Sequence, residues 1–161
     1  MKEKVKSGLS HSWVQVLIVV LFGTIVGQLL IHTVFFNSNV IGDSMVPTYL
    51  DSERVWVNRL ATPERDDIII VNEGDKYVIK RLVGMPGETI QITDGVVYID
   101  GEVYEEDYIK DGNRHYSAGI ASEPIVLGED EYFMLGDNRV VSRDSRSIGP
   151  ITRDMIVGVV F

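Results

Sequence analysis

Cysteine is absent from all 161 residues. That excludes disulfides, thiolate metal sites and thiol nucleophiles, and it leaves the redox compartment open. Basic residues are scarce too: 15 Lys and Arg stand against 24 Asp and Glu, a formal charge of −9. The shortage is uneven. Residues 1–36 carry Lys2, Lys4 and Lys6 against Glu3, so the remainder holds 12 basic and 23 acidic residues. So acidic a globular part argues against a nucleic-acid partner, whose phosphates need a basic face.

Asp, Glu, Lys and Arg are all missing from Trp13 to Phe36, a run of 24 residues. As a helix rising about 1.5 Å per residue it spans roughly 36 Å, enough for a hydrocarbon core of about 30 Å. Gln15, Gln28 and His32 keep a buried helix of a soluble protein in contention. A cleaved signal peptide has a shorter apolar core ending at a small-x-small site, whereas this run ends in Phe35-Phe36-Asn37-Ser38-Asn39. A retained transmembrane anchor over residues 13–36 is therefore expected. Lys2, Lys4 and Lys6 precede it and no basic residue follows until Arg54. The positive-inside rule then places residues 1–12 in the cytoplasm and residues 37–161 on the outer face of the cell membrane. Gln28 and His32, four apart on one helix face, suit either headgroups or a partner helix.

Beyond the anchor, helical periodicity gives way to short β-type runs. These are Arg54–Asn58, Asp67–Asn72, Lys76–Gly84, Glu88–Thr93, Val96–Asp100, Glu131–Leu135 and Met155–Phe161. Pro86-Gly87 suits a type II turn, and Asp94-Gly95 and Asp100-Gly101 suit tight hairpins. Residues 102–128 are acidic and weakly periodic, and read as a loop-rich subregion or small cap. The expected fold is mainly β, a largely antiparallel domain of about 120 residues behind one transmembrane helix.

Ser44, in "GDSMVPT" just after the anchor, is a candidate nucleophile. A hydroxyl near neutral pH needs a base within hydrogen-bond reach. His115, in the polar stretch "DGNRHYS", has no orienting carboxylate at a fixed spacing and suits a solvated loop equally well. Lys80 shares one face of its strand with Val78 and Leu82, with Ile79, Arg81 and Val83 on the other. Burial among apolar neighbours lowers a lysine pKa by up to about 3–5 units, towards the range of a proton acceptor. The same alternation also fits a lysine whose stem lies along the sheet while its charge reaches water.

Three segments together carry a resemblance: "GDSMVPT" (Gly42–Thr48), "YVIKRLVGMPGE" (Tyr77–Glu88) and "GDNRVVSRDSRSIGP" (Gly136–Pro150). In order and approximate spacing they resemble the motif boxes of type I signal peptidases, membrane-anchored serine–lysine endopeptidases, in the short form of Gram-positive bacteria. The resemblance covers the chain from the anchor onward. It implies Ser44 as nucleophile and Lys80 as general base. Met45 matches a residue packing beside the site, and Ser142 a hydroxyl that orients the lysine amine. Asp144 and Arg146 match a supporting charge pair; Asp137, Asn138 and Arg81 match positions that brace the core. Some family members carry an oxyanion-donating hydroxyl two residues before the nucleophile; that position is Gly42 here, which leaves backbone donors or water.

The resemblance further implies exported preproteins as substrates, with small residues at −1 and −3 of the cleavage site, bound by strand-like pairing to a sheet edge. It implies work at the lipid bilayer near the secretion translocon, with no metal or cofactor. Family chains commonly continue past the last apolar strand, whereas this sequence stops at Phe161. Self-cleaving repressors share the serine–lysine chemistry but lack an anchor, and the eukaryotic secretory relative has histidine at the position of Lys80. A mitochondrial processing peptidase stays compatible. The contrasting class is an inactive membrane-tethered β-domain that binds signal segments or partner proteins; retention of both Ser44 and Lys80 speaks against it.

Overall fold

A computed structural model describes residues 6–109 and 116–161, with side chains from Trp13 onward. The expectation placed on His115 lies outside the described residues. The chain divides after Phe36 into two units, which are taken separately.

The first unit is a helix, α1 (Lys6–Val34). Its Trp13–Val34 stretch is long and apolar enough to cross a membrane, and none of that stretch is buried by protein. Large side chains face outward all around it, including Leu17, Leu21, Phe22 and Leu29. A helix apolar on every side suits lipid rather than water. It starts upstream of the apolar run and ends two residues before Phe36. From Phe35 the chain becomes a strand, β1 (Phe35–Asn39). The aromatic pair and the flanking asparagines are poor helix formers, and Phe favours strands.

The second unit contains two sheets. The remaining strands are β2 (Arg54–Asn58), β3 (Ile68–Asn72), β4 (Tyr77–Gly84), β5 (Thr89–Thr93), β6 (Val96–Ile99), β7 (Glu102–Val103), β8 (Ile125–Val126), β9 (Glu131–Leu135), β10 (Ile151–Thr152) and β11 (Ile156–Val160). Seven form one sheet in the order β1-β2-β11-β3-β4-β9-β10, and four form a second in the order β7-β6-β5-β8. The ladders that link β2 through β10, and all those of the smaller sheet, are antiparallel. The smaller sheet follows from its turns. Asp94 and Gly95 both have positive φ (51° and 76°), as do Asp100 and Gly101 (52° and 83°). That pairing is the two-residue type I′ geometry that antiparallel strands need.

Strands β4 and β9 lie between two cores. Leu82 and Met134 join Ile69, Val71, Ile151, Ile156 and Val159 on one side. Val83, Phe133 and Leu135 join Ile90, Ile92, Val97 and Leu127 on the other. The C-terminal parts of both strands are therefore apolar on both faces, and the site grows from the Lys80-Arg81 step just before that part of β4. Gly84 is where the cores close in: a β-carbon there would lie 2.8 Å from Ile90 Cδ1 and from Phe133 Cβ. The β4–β9 register slips between Leu82 and Gly84, the bulge that lets the strand turn aside.

The stretch 102–128 holds more order than its composition suggests. Strands β7 and β8 edge the smaller sheet, a 3₁₀ turn spans Gly119–Ser122, and Glu106, Ile109, Ala121 and Leu127 are buried. Two-residue strands fall below the length at which alternation is readable. The same limit hides β10 and the single-turn helix α2 (Ser145–Ile148).

Candidate active site

Ser44 sits on the turn between β1 and β2. Gly42 enters this turn at φ 85°, a conformation glycine adopts freely, and its N–H donates to Asp51 Oδ1 at 2.7 Å. Met45, fully buried, anchors the next position. The Thr48 hydroxyl donates to Asp137, tying the far end of the segment to the neighbouring wall.

Lys80 comes from β4, paired across the ladder with Ile69. Its side chain is buried, at 4% exposure, and Nζ lies 2.9 Å from Ser44 Oγ and 2.8 Å from the Ile79 carbonyl oxygen. Burial is the main cause that pulls its pKa from 10.5 to about 8. Asp144, Glu73 and Asp137 oppose that fall, and the charge of Lys76 reinforces it. Half of the amines thus carry a free lone pair at a pH of about 8, and roughly a tenth do so at pH 7. As an ammonium Nζ donates to Ser44; as an amine it accepts the serine proton and still donates to Ile79.

The third wall runs from Gly136 to Pro150. The Asn138 N–H donates to the Ser44 carbonyl at 3.0 Å, and its side-chain amide donates to the Asp43 carbonyl at 3.1 Å. Asp137 receives the fork of Arg81 at 2.8 and 2.7 Å, while the Arg81 guanidinium stacks over Tyr108, 3.9 Å from the ring centre. Asp144 caps α2, accepts the Gly136 N–H at 3.0 Å, and takes both Nε and Nη2 of Arg146 at 2.8 Å. These charges are buried but paired in bidentate geometry, the arrangement that offsets their desolvation.

Ser142 departs from expectation. Its Oγ is buried and makes no hydrogen bond, so the contact that would orient the Lys80 amine is not formed. The hydroxyl instead sits against Gly136, whose Cα–H leaves just enough room for it. Of the other residues singled out from the motifs, Gly42 and Met45 lie on the Ser44 turn, Arg81 follows Lys80 on β4, and Asp137, Asn138, Asp144 and Arg146 lie on the third wall. Sequence reasoning missed Thr48, Asp51, Glu106 and Arg139. Glu106 in "YEEDY" carries no mark separating it from Glu105 or Asp107. Arg139 directly follows Gly-Asp-Asn, and that adjacency was the one available sign.

A cleft of about 460 Å³ opens beside the pair. Ser38–Ile41 form one flank and Lys76–Lys80 the other, with Val55 and Ile70 in its lining. β3 pairs with one edge of β4 from Tyr77 to Arg81, whereas β9 pairs with the other only from Arg81 onward. Among the described residues, Tyr77–Lys80 therefore keep one strand edge without a pairing strand. No group of three or more His, Asp or Glu is placed to hold a metal ion among the described residues.

Comparison with known proteins gives one consistent result. Residues 11–161 match the family described as "Signal peptidase, peptidase S26". The chain is 33% identical to signal peptidase I P of Bacillus subtilis subsp. natto, across 98% of this chain and 90% of that one. It is 36% identical to signal peptidase I T of Bacillus subtilis strain 168, across 86% and 78%. A crystal structure of a signal peptidase I from Enterococcus faecalis V583 superposes with a TM-score of 0.54 at 33% identity, covering 63% of this chain and 98% of that one.

Proposed function

Since the chain belongs to the S26 signal peptidase family of serine-protease hydrolases, we propose that it removes N-terminal signal peptides from exported preproteins, with Ser44 as nucleophile and Lys80 as general base. The observation that carries this reading is the 2.9 Å separation of Lys80 Nζ from Ser44 Oγ, in surroundings that bring the amine to about 8.

The chemistry runs as acyl transfer. Neutral Lys80 takes the Ser44 proton as Oγ attacks the scissile carbonyl, and the new ammonium returns it to the leaving amine. Release of the amine leaves an acyl-enzyme, which water hydrolyses with Lys80 again as base. The Gly42 N–H is committed to Asp51 and does not serve the oxyanion. That role falls to the Ser44 N–H, whose carbonyl side is already fixed by Asn138.

The open edge of Tyr77–Lys80 invites an extended peptide to add as a strand. The apolar lining beside Ser44 suits small side chains at −1 and −3. The anchor holds enzyme and substrate in one bilayer and raises their effective concentration. Its three lysines orient residues 37–161 outward, where preproteins emerge from the translocon.

The test is incubation of the full chain in detergent with a preprotein carrying an Ala-x-Ala site, followed by N-terminal sequencing of the product. Ser44→Ala and Lys80→Ala should each abolish cleavage while the chain stays folded. Cleavage surviving in either variant would refute the dyad. The absence of any cut by the unaltered enzyme would favour a tethered binding domain.

A further inference from the structure

Behind the site lies a buried charge pair that joins Arg139, in the third motif segment, to Glu106, which lies outside all three. Glu106, 2% exposed, faces Arg139, 1% exposed. Arg139 Nη1 donates to Glu106 Oε2 at 3.1 Å and Nη2 donates to Oε1. The Tyr108 hydroxyl adds a third donor to this carboxylate at 3.0 Å. Nη1 also reaches the Tyr116 hydroxyl at 3.1 Å. Such a pair carries a heavy desolvation cost, and an apolar pair of similar volume is often as stable or more so. Fold stability alone is then a poor reason for placing these two charges here.

The remaining donor of Arg139 suggests what they do. Its Nε donates 2.9 Å to the carbonyl of Gly136. That residue opens the turn whose third member, Asn138, donates to the Ser44 carbonyl. On the other side of Glu106, Tyr108 lies flat against Arg81, which forks onto Asp137 in the middle of the same turn. One buried carboxylate thus backs two guanidiniums, and between them they hold Gly136 and Asp137. The nucleophile's peptide hangs on Asn138 next to them.

We propose that Glu106 and Arg139 are positioning residues for Ser44: their buried pair fixes the Gly136 carbonyl and, through the Gly136–Asn138 turn, the backbone of the nucleophile. This rests on the assignment of Ser44 as nucleophile. The pair touches neither substrate nor the reacting atoms; it sets where Oγ and the Ser44 N–H stand. Displacements well under 1 Å at such a point lower turnover without weakening substrate binding, because the binding cleft is built from other segments.

Two variants of the full chain in detergent test it. Arg139→Lys keeps a cation opposite Glu106 but loses the bond to Gly136. Its kcat should fall about tenfold to a hundredfold with KM within about twofold and a melting temperature near that of the wild type. The double variant Glu106→Leu/Arg139→Met should melt higher than Glu106→Leu alone, yet keep the depressed kcat. Both should retain the wild-type midpoint in the pH profile, since Lys80 is untouched. Wild-type kcat in a folded Arg139→Lys, or recovery of kcat together with stability in the double variant, overturns the proposal. So does a loss confined to KM. If the double variant does not fold, Arg139→Lys decides alone. Ser44→Ala run alongside separates the two claims: cleavage by that variant defeats the nucleophile assignment, whereas a fully active Arg139→Lys defeats only the positioning role.

Discussion

Gly136 lies so close to Ser142 that a β-carbon added to it would stand 2.2 Å from the Ser142 hydroxyl and 2.6 Å from the Ser44 carbonyl oxygen. The second contact is with backbone, which cannot swing aside as a flexible side chain does. Gly136→Ala should therefore cost roughly 1–3 kcal/mol in stability, the usual range for an overfilled site. If Ser44 is the nucleophile proposed above, cleavage should fall by at least about a hundredfold, because the displaced atom belongs to Ser44 itself. A thermal melt and a preprotein cleavage assay read both effects; full turnover in the variant would mean that the turn is more plastic than its contacts suggest.

Ser142→Ala should separate stability from activity. The Oγ is buried without a partner, and an unsatisfied polar group of this kind costs about 1–3 kcal/mol. The variant is expected to melt at or above the wild-type temperature. If the hydroxyl turns to the Lys80 amine during turnover, as the family resemblance implies, kcat should drop at the same time. A lower melting temperature with kcat intact would contradict both parts.

The pH dependence follows from Lys80. Its pKa is depressed from 10.5 to about 8, chiefly by burial. Cleavage at limiting substrate should rise with pH through about 8 as the free amine appears. Stability should rise as well. Between about 8 and 10.5 the unfolded chain binds the proton and the folded chain does not, so the slope is positive across that window. Below it both states are protonated and the cost of burying the ammonium is at its full size, roughly 3 kcal/mol. Lys80→Met removes the group, so it should melt above the wild type at pH 7 and converge with it near pH 10.5. A cleavage profile governed by a group near 6.5 would point to a histidine instead.

Membrane orientation is testable with unusual economy, because the chain has no cysteine to remove. Glu129, exposed between β8 and β9, should as Glu129→Cys react with a membrane-impermeant maleimide in intact spheroplasts. Ser7→Cys should react only after lysis. The reverse pattern would place the acidic domain in the cytoplasm and remove access to emerging preproteins.

Much of the architecture was legible because it is written locally. The charge-free run needs only length and composition to be recognised, and Asp94-Gly95 and Asp100-Gly101 dictate their hairpins through backbone conformation alone. Five-residue strands such as β2 and β9 match their apolar patterns to the residue, whereas β7, β8 and β10 are too short to have a period. The motif segments pointed to Ser44 and Lys80, but a motif does not measure a distance.

What the sequence by itself determined is the set of elements and the kinds of side chain available: a helix with a long uncharged run, an antiparallel β-domain, a serine, a lysine and no thiol. Tertiary structure alone decided their relations. It set Lys80 Nζ at 2.9 Å from Ser44 Oγ, gave the Gly42 N–H to Asp51, left Ser142 without a partner, and chose Glu106 over its acidic neighbours to face Arg139. Each of these depends on how segments distant in the chain pack and on which polar groups that packing cuts off from water. Desolvation belongs to the assembled interior, and no single stretch of sequence encodes it.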